Sequence, residues 1–400
     1  MSYLTKDPRD ATLALLRLEC FVPDARGGLV NEGGFTALVE SLAPHFGRIE
    51  VVAPVVPRLE VSAGLRPIAA DNVVFRALPD MKGLARSWAR GRAALKRMEA
   101  WSDGWDLVNL RAPDNFLPQV APWLRRRAVP HYLQLVSHPF DAGAAATAAL
   151  PALARPLGAA AWHVQRRALR AACAGRLCIA HGAALADIAR GWGARAVNLP
   201  SGSLSRADVD PSPRSGRPRR ALFVGRLNTE KGLDVLVDAI AGVPDLTLTL
   251  AGWPTGDYER RLRARAAERG VLERLDFKGP VPRGPELFAL YRAHDLFVLP
   301  SISEGTPRVI GEAMAFGLPV VSTTAGGIPD LVEDTVTGLL VPPGDAVALA
   351  RALERVRTDA DLRARLVAAA GRTVAARTLE HRAAQHVALL TGKSPREVAA

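Results

Sequence analysis

Two cations and two carboxylates carry the chemistry this sequence offers. Arg226 and Lys231 stand in Gly225-Arg226-Leu227-Asn228-Thr229-Glu230-Lys231-Gly232, directly after the apolar run Ala221-Leu222-Phe223-Val224. A buried strand that runs into a glycine turn and then a helix presents charge and backbone N–H groups at the strand's end. A guanidinium makes forked contacts and an ammonium acts as a point charge, a combination suited to a diphosphate. The carboxylates are Glu304 and Glu312, in Pro300-Ser301-Ile302-Ser303-Glu304-Gly305-Thr306-Pro307-Arg308-Val309-Ile310-Gly311-Glu312.

The elements around those glutamates follow from the same residues. Leu296-Phe297-Val298-Leu299 reads as a buried parallel strand. Thr306 reads as an N-cap, Pro307 as the first helical residue and Gly317 as the residue past the helix end. Glu304 then lies in a loop and Glu312 in an apolar helix, where a carboxylate needs hydrogen-bond donors. A rise of about 1.5 Å per residue separates the two carboxylates by roughly 9–12 Å. That is about the distance from the sugar to the ribose of a nucleotide-sugar. Each group also has an ordinary role open to it: Glu304 as a surface cap, Glu312 as partner of a nearby Arg, residues 226–231 as a solvated loop.

The first half offers less. The run from Ala11 to Cys20 reads as a strand that feeds a loop with Gly27 and Gly28, then a helix with Phe35, Leu38, Val39 and Leu42 on one face, then a strand over 49–54. Such a glycine loop can place N–H groups on a phosphate, but its spacing is not the dinucleotide fingerprint. A strand over 129–136 ends at Ser137-His138-Pro139, and His138 therefore follows a strand end of an open sheet, where ligands collect. His131 begins that strand and reads as a packing residue. A basic helix is expected over 81–101, with Leu84, Trp88, Leu95 and Met98 on one face and Lys82, Arg86, Arg90, Arg92, Lys96 and Arg97 around the rest. It suits solvent or an anionic lipid surface.

Gly225-Arg226-x4-Lys231-Gly232, Glu304-Gly305-x-Pro307, Glu312-Ala313-Met314-Ala315-x-Gly317-x-Pro319 and Gly326-Gly327-Ile328-Pro329 resemble the retaining glycosyltransferases of family 4, the glycosyl transferases group 1 type. The likeness is specific over about 220–350 and diffuse over 11–205. It implies an α/β chain of the GT-B kind: two Rossmann-like, doubly wound domains facing across a cleft. It implies a retaining transfer of a sugar from a nucleotide diphosphate-sugar to a hydroxyl acceptor, in polysaccharide, glycolipid or glycoconjugate assembly. By resemblance, Arg226, Lys231, Glu304 and His138 are catalytic. Gly225, Gly279, Val281, Gly305, Thr306 and Glu312 join Arg226, Lys231 and Glu304 in holding the donor, while Gly27 and Gly28 face the acceptor and phosphate. No metal and no cofactor beyond the co-substrate is expected. Two other readings are an epimerase of the same shape and a catalytically silent nucleotide-sugar binding subunit. Product sugar formed without acceptor marks the first, and the intact Arg226, Lys231, Glu304 and Glu312 argue against the second.

Composition bounds the rest. Four hundred residues fit two domains, read as 1–205 for the acceptor, a Pro-rich linker over 206–219, 220–375 for the donor, and a C-terminal helix over 376–400 crossing back to the first domain. Net charge is +12, of which residues 1–200 carry +9 from 25 Lys and Arg against 16 Asp and Glu. No nucleic-acid motif accompanies that excess; an anionic membrane surface or substrate suits it. Cys20, Cys173 and Cys178 have no metal spacing and read as reduced thiols. The polar N-terminus has no signal-peptide core, and the Ala-rich stretch over 142–162 is broken by Pro151, Arg155 and Pro156. The expected location is cytoplasmic, peripheral on the inner face of the membrane.

Overall fold

The structure, a computed structural model, describes residues 3–18, 21–23, 29–56, 65–81, 83–136, 155–199, 204–212, 214 and 216–399. It divides into two compact units, one of residues 1–200 with 380–400 and one of residues 201–379.

The first unit is built on seven parallel strands: β1 (Thr12–Leu16), β2 (Arg48–Pro54), β3 (Val73–Leu78), β4 (Leu107–Ala112), β5 (His131–Leu135), β6 (Leu177–Ala180) and β7 (Arg195–Asn198). They lie in the order β7-β6-β5-β4-β1-β2-β3, with Leu13 beside Ile49 and Leu107. Side chains alternate across the sheet, so Leu13, Leu15 and Val51 fill one core while Ala14, Leu16 and Val52 fill another. Both faces are covered, as an all-parallel sheet requires. The helices α1 (Gly33–Leu42), α2 (Leu84–Ser102), α3 (Leu117–Arg126), α4 (Arg155–Cys173) and α5 (Ala183–Gly191) connect the strands. A small antiparallel sheet of Val22–Pro23, Leu29–Glu32 and Leu65–Pro67 stands apart. Cys173 and Cys178 are free and buried, and Cys20 lies outside the described residues.

The second unit holds β8 (Arg220–Val224), β9 (Thr247–Ala251), β10 (Leu275–Gly279), β11 (Leu296–Leu299), β12 (Val320–Thr323) and β13 (Leu339–Val341), all parallel, in the order β10-β9-β8-β11-β12-β13. Between them run α6 (Leu233–Ala241), α7 (Tyr258–Glu268), α8 (Pro285–Ala293) and α9 (Arg308–Ala315), followed by α10 (Ala346–Thr358) and α11 (Ala360–Ala375). In each sheet the strand order reverses once, between β1 and β4 and between β8 and β11. Loops leaving neighbouring strands there diverge to opposite faces and open a crevice at the carboxyl edge.

The helix α12 (Leu379–Thr391) packs Ala383, Val387 and Leu390 into a core of the first unit. The His386 Nε2 and the Tyr132 hydroxyl lie 2.7 Å apart, and the Leu390 carbonyl accepts from the amides of Tyr3 and Leu4.

Three details depart from the sequence expectations. The helix α9 starts at Arg308 with Pro307 as its cap, one residue later than expected. In α2 the buried residues are Ser87, Gly91, Ala94, Met98 and Ser102, while Trp88 is 47 % exposed. The reason is close packing: a Cβ on Gly91 would meet the Gln119 side chain at 2.1 Å, so α3 seats on small residues rather than large ones. The Pro-rich stretch after 205 lies against the second unit. The Asp210 amide donates to the Ala315 carbonyl, and Arg214 donates to the carbonyls of Phe316 and His294.

Candidate active site

The second unit brings three glycine-bearing turns together at the carboxyl edge of its sheet. The Gly225 amide donates to the Ala251 carbonyl at the end of β9, and the Gly252 amide donates to the Gly279 carbonyl at the end of β10. The Leu227 amide donates to the Trp253 carbonyl at 2.7 Å. Backbone groups that would otherwise be orphaned at the strand ends are thereby paired.

From β8 the loop carries Arg226, which is exposed, and then Lys231. From β11, the neighbour across the order reversal, comes the loop with Glu304. The two loops are tied. The amides of Ile302 and Ser303 donate to the Glu230 carbonyl at 2.8 and 3.3 Å. Gly232 has φ 64°, and a Cβ there would lie 2.2 Å from the Pro300 carbonyl oxygen. Only glycine allows both that conformation and that approach.

The side chains meet where the loops meet. The Lys231 ammonium pairs with Glu304 Oε1, their side chains 14 % and 9 % exposed. The Ser301 hydroxyl donates to the same oxygen at 2.9 Å. The loop after β12 closes on this group from the other side. The Thr323 hydroxyl donates to the Ser301 carbonyl at 2.7 Å and the Gly327 amide donates to the Gly305 carbonyl at 2.9 Å. Gly326 has φ 54°, and a Cβ there would sit 1.9 Å from the Glu304 carbonyl oxygen.

Glu312 occupies a second polar pocket, 3 % exposed. Arg283 Nε donates to its Oε1 and the Tyr291 hydroxyl donates to its Oε2, each at 3.1 Å. Burial, with the Glu312 charge beside it, pushes the Tyr291 hydroxyl well above its ordinary range, so it stays a donor. Its ring stacks on Phe316, centroids 5.4 Å apart.

Of the residues singled out in the sequence, Lys231, Glu304 and Gly305 are therefore joined at one edge, with Thr306 beside Gly327. Arg226 shares the Lys231 loop and Gly225 shares its hydrogen-bonded turn. Gly279 closes the neighbouring turn, and Val281 packs against the core two residues on. Gly27, Gly28 and His138 lie outside the described residues. Ser301, Arg283 and Tyr291 are not among the site residues the sequence singles out. Ser301 has a local signal, three residues before Glu304; the other two reach Glu312 only through tertiary packing. The histidines His131 and His294 are buried and face backbone carbonyls, with Nδ1 2.9 Å from the Val129 oxygen and 2.6 Å from the Leu290 oxygen.

Comparison with known proteins bears on the same unit. Residues 206–373 match the family described as glycosyl transferases group 1. A D-inositol 3-phosphate glycosyltransferase of Salinispora tropica is 39 % identical over 186 residues, 43 % of this chain and 38 % of its own length. A phosphatidyl-myo-inositol mannosyltransferase of Mycobacterium leprae is 37 % identical over 207 residues, 48 % of this chain and 53 % of its own length. The matches thus span about half or less of the curated relatives' length. Among solved structures, Anabaena HepE in complex with UDP aligns over 95 % of this chain and 99 % of its own, with a TM-score of 0.67 at 19 % identity. Sucrose-phosphate synthase from Thermosynechococcus elongatus aligns over 95 % and 98 %, with a TM-score of 0.65 at 21 % identity. The fold is the one these proteins share, GT-B.

Proposed function

Starting from a second unit that is a glycosyl transferases group 1 domain, we propose that this chain moves a sugar from a nucleoside diphosphate-sugar to a hydroxyl acceptor, with retention of configuration. The observation that carries the reading is the Lys231–Glu304 pair at the order reversal of the second sheet. A cation and a carboxylate held by two tied loops match a ligand with a diphosphate at one end and sugar hydroxyls at the other.

In this reading Arg226 and Lys231 meet the diphosphate, and the N-terminus of α9 faces negative charge. Glu304 accepts from the sugar hydroxyls and Glu312 from the ribose. A carboxylate has about four acceptor positions, so Glu312 can serve a ribose while Arg283 and Tyr291 fix its orientation. The bond from the anomeric carbon to the diphosphate oxygen breaks, and a bond to the acceptor oxygen forms on the same face. The acceptor proton passes to the departing diphosphate. Catalysis then rests on positioning and on charge already in place. The two cations supply what a metal ion supplies elsewhere, so the reaction is metal-independent. By resemblance to the family, His138 is assigned to the reacting sugar, and Gly27 and Gly28 to the acceptor and phosphate. The first unit takes the acceptor, in polysaccharide, glycolipid or glycoconjugate assembly.

Among the described residues no helix is long and apolar enough to cross a membrane. We also propose peripheral attachment through α2, whose Arg86, Arg90, Arg92, Lys96 and Arg97 are exposed, as is Trp88; flotation with anionic but not zwitterionic vesicles checks it.

A transfer assay across nucleotide-sugars tests the central reading. Arg226→Ala and Lys231→Ala should each lower turnover by roughly 10²–10³, the scale of removing one charge-stabilising donor. Unchanged turnover in both, or product sugar formed from donor alone, would contradict it.

A further inference from the structure

The carboxyl edge of the second sheet carries an exposed aromatic side chain that the proposed chemistry leaves unused. Trp253 follows β9 at this edge, and it is 55 % exposed. Among the described residues no ring stacks on it and no cation lies over it. Its backbone is pinned. The strands β8 and β9 pair Phe223 with Leu250 and Val224 with Ala251, and the same offset returns beyond them, where Leu227 bridges Pro254. The Leu227 amide donates to the Trp253 carbonyl at 2.7 Å, and the Thr255 amide donates to the Leu227 carbonyl at 3.0 Å. A Cβ on Gly252 would lie 1.7 Å from the Gly225 carbonyl oxygen, so the two loops bend together as one ladder. Arg226 is therefore the register neighbour of Trp253, one strand spacing of about 4.8 Å away. Leu227 turns into the core, and the pair before it turns out to solvent.

The strand order sets what lies on either side. It runs β10-β9-β8-β11, so the loops leaving this edge bring, in turn, Gly279, then Trp253, then Arg226 and Lys231, then Glu304. On the glycosyl-transfer reading, on which this inference rests, the diphosphate lies at β8 and the sugar at β11. The nucleoside is the other end of the same ligand and falls toward β9 and β10. Glu312, assigned to the ribose, agrees: it stands on α9, but its partner Arg283 follows β10 by four residues. A base one ribose away from its phosphates comes within about 5–10 Å of Arg226, one or two strand spacings. Trp253 stands in that interval.

An indole offers a flat π-face that stacks on any nucleobase. It has two side-chain torsions to fix, so little entropy is lost when a ring settles on it. The backbone around it is already held, at its own carbonyl and at the amides of Gly252 and Thr255. We propose that Trp253 is the stacking platform for the nucleobase of the donor, with Arg226 beside it on the phosphates.

The test is a calorimetric titration of UDP, GDP and inorganic pyrophosphate against the full chain and its variants. Trp253→Ala should weaken the better-bound nucleotide about tenfold, within the range for removing an aromatic face from a stacked base. Its affinity for pyrophosphate, which has no base, should equal that of wild type. Trp253→Tyr keeps a π-face and should stay within about threefold of wild type for the nucleotide. The side chain is exposed, so the unliganded variants should melt as wild type does. Arg226→Ala should weaken nucleotide and pyrophosphate alike. The proposal is overturned if Trp253→Ala binds both nucleotides as wild type does, if it loses pyrophosphate and nucleotide equally, if Trp253→Tyr is as weak as Trp253→Ala, or if wild type binds neither nucleotide. The diphosphate assignment fails by a different mark, wild-type affinity for nucleotide and pyrophosphate in both Arg226→Ala and Lys231→Ala; a weakened Trp253→Ala beside that result leaves the platform standing.

Discussion

At the scale of single residues, the site is a set of buried charges that already hold partners. Lys231 and Glu304 are both largely withdrawn from water. Removing one leaves the other to bear its desolvation, a cost of about 1–3 kcal/mol. Arg226 is exposed and carries no such cost, so Arg226→Ala separates chemistry from stability better than Lys231→Ala does. Tyr291 poses the complementary case. Tyr291→Phe removes the hydroxyl that donates to Glu312 Oε2 and leaves a buried carboxylate short of one donor. A loss of about 1–2 kcal/mol is expected, seen as a lower melting midpoint. Lys231 and Glu304 were legible because each follows an apolar run that ends in glycine or serine. Arg283 and Tyr291 were not, because nothing local in 283–291 says which buried carboxylate they will face.

At the scale of elements, glycines let loops from different strands touch. Gly326→Ala forces a side chain onto positive φ and against the Glu304 carbonyl. It should cost about 2–3 kcal/mol and displace the glutamate loop, so melting and turnover fall together. Gly344 is a control, with φ 82° and nothing near its missing Cβ; Gly344→Ala should lose about 1 kcal/mol with turnover unchanged. The strands were readable from their apolar runs, though β1 proved shorter than the run from Ala11 to Cys20. Arg17 sits inside that run, and its charge was the overlooked sign that the strand stops at Leu16. The buried face of α2 is not the one its large apolar side chains suggest. The packing of α3 instead selects Ser87, Gly91 and Ala94.

At the scale of the whole molecule, stability should depend on pH through Asp114. Its carboxyl is raised from an ordinary 3.8 to about 7 in the folded chain. Between those values the folded state keeps a proton that the unfolded state has lost. Stability from this group is therefore full below about pH 4 and falls as pH rises to 7. Asp114→Asn keeps an oxygen for the Phe116 amide, which donates to Oδ1 at 2.7 Å, and removes the titration. The variant should gain about 1–2 kcal/mol over wild type on going from pH 4 to pH 8, after screening, by denaturant melts at both. Strand–helix alternation made two doubly wound units legible from sequence. The segment after 205 was less so: prolines and glycines signal irregular backbone, but not that its amides and carbonyls will pair with α9.

The account rests on a nucleoside diphosphate being held by the second unit through Arg226 and Lys231. Calorimetric titration of UDP and GDP against the full chain, without added metal, measures this directly. Saturable binding of at least one nucleotide is predicted, weakened at least tenfold in Arg226→Ala and in Lys231→Ala. Absence of binding by both nucleotides, or affinity equal to wild type in both variants, would contradict it.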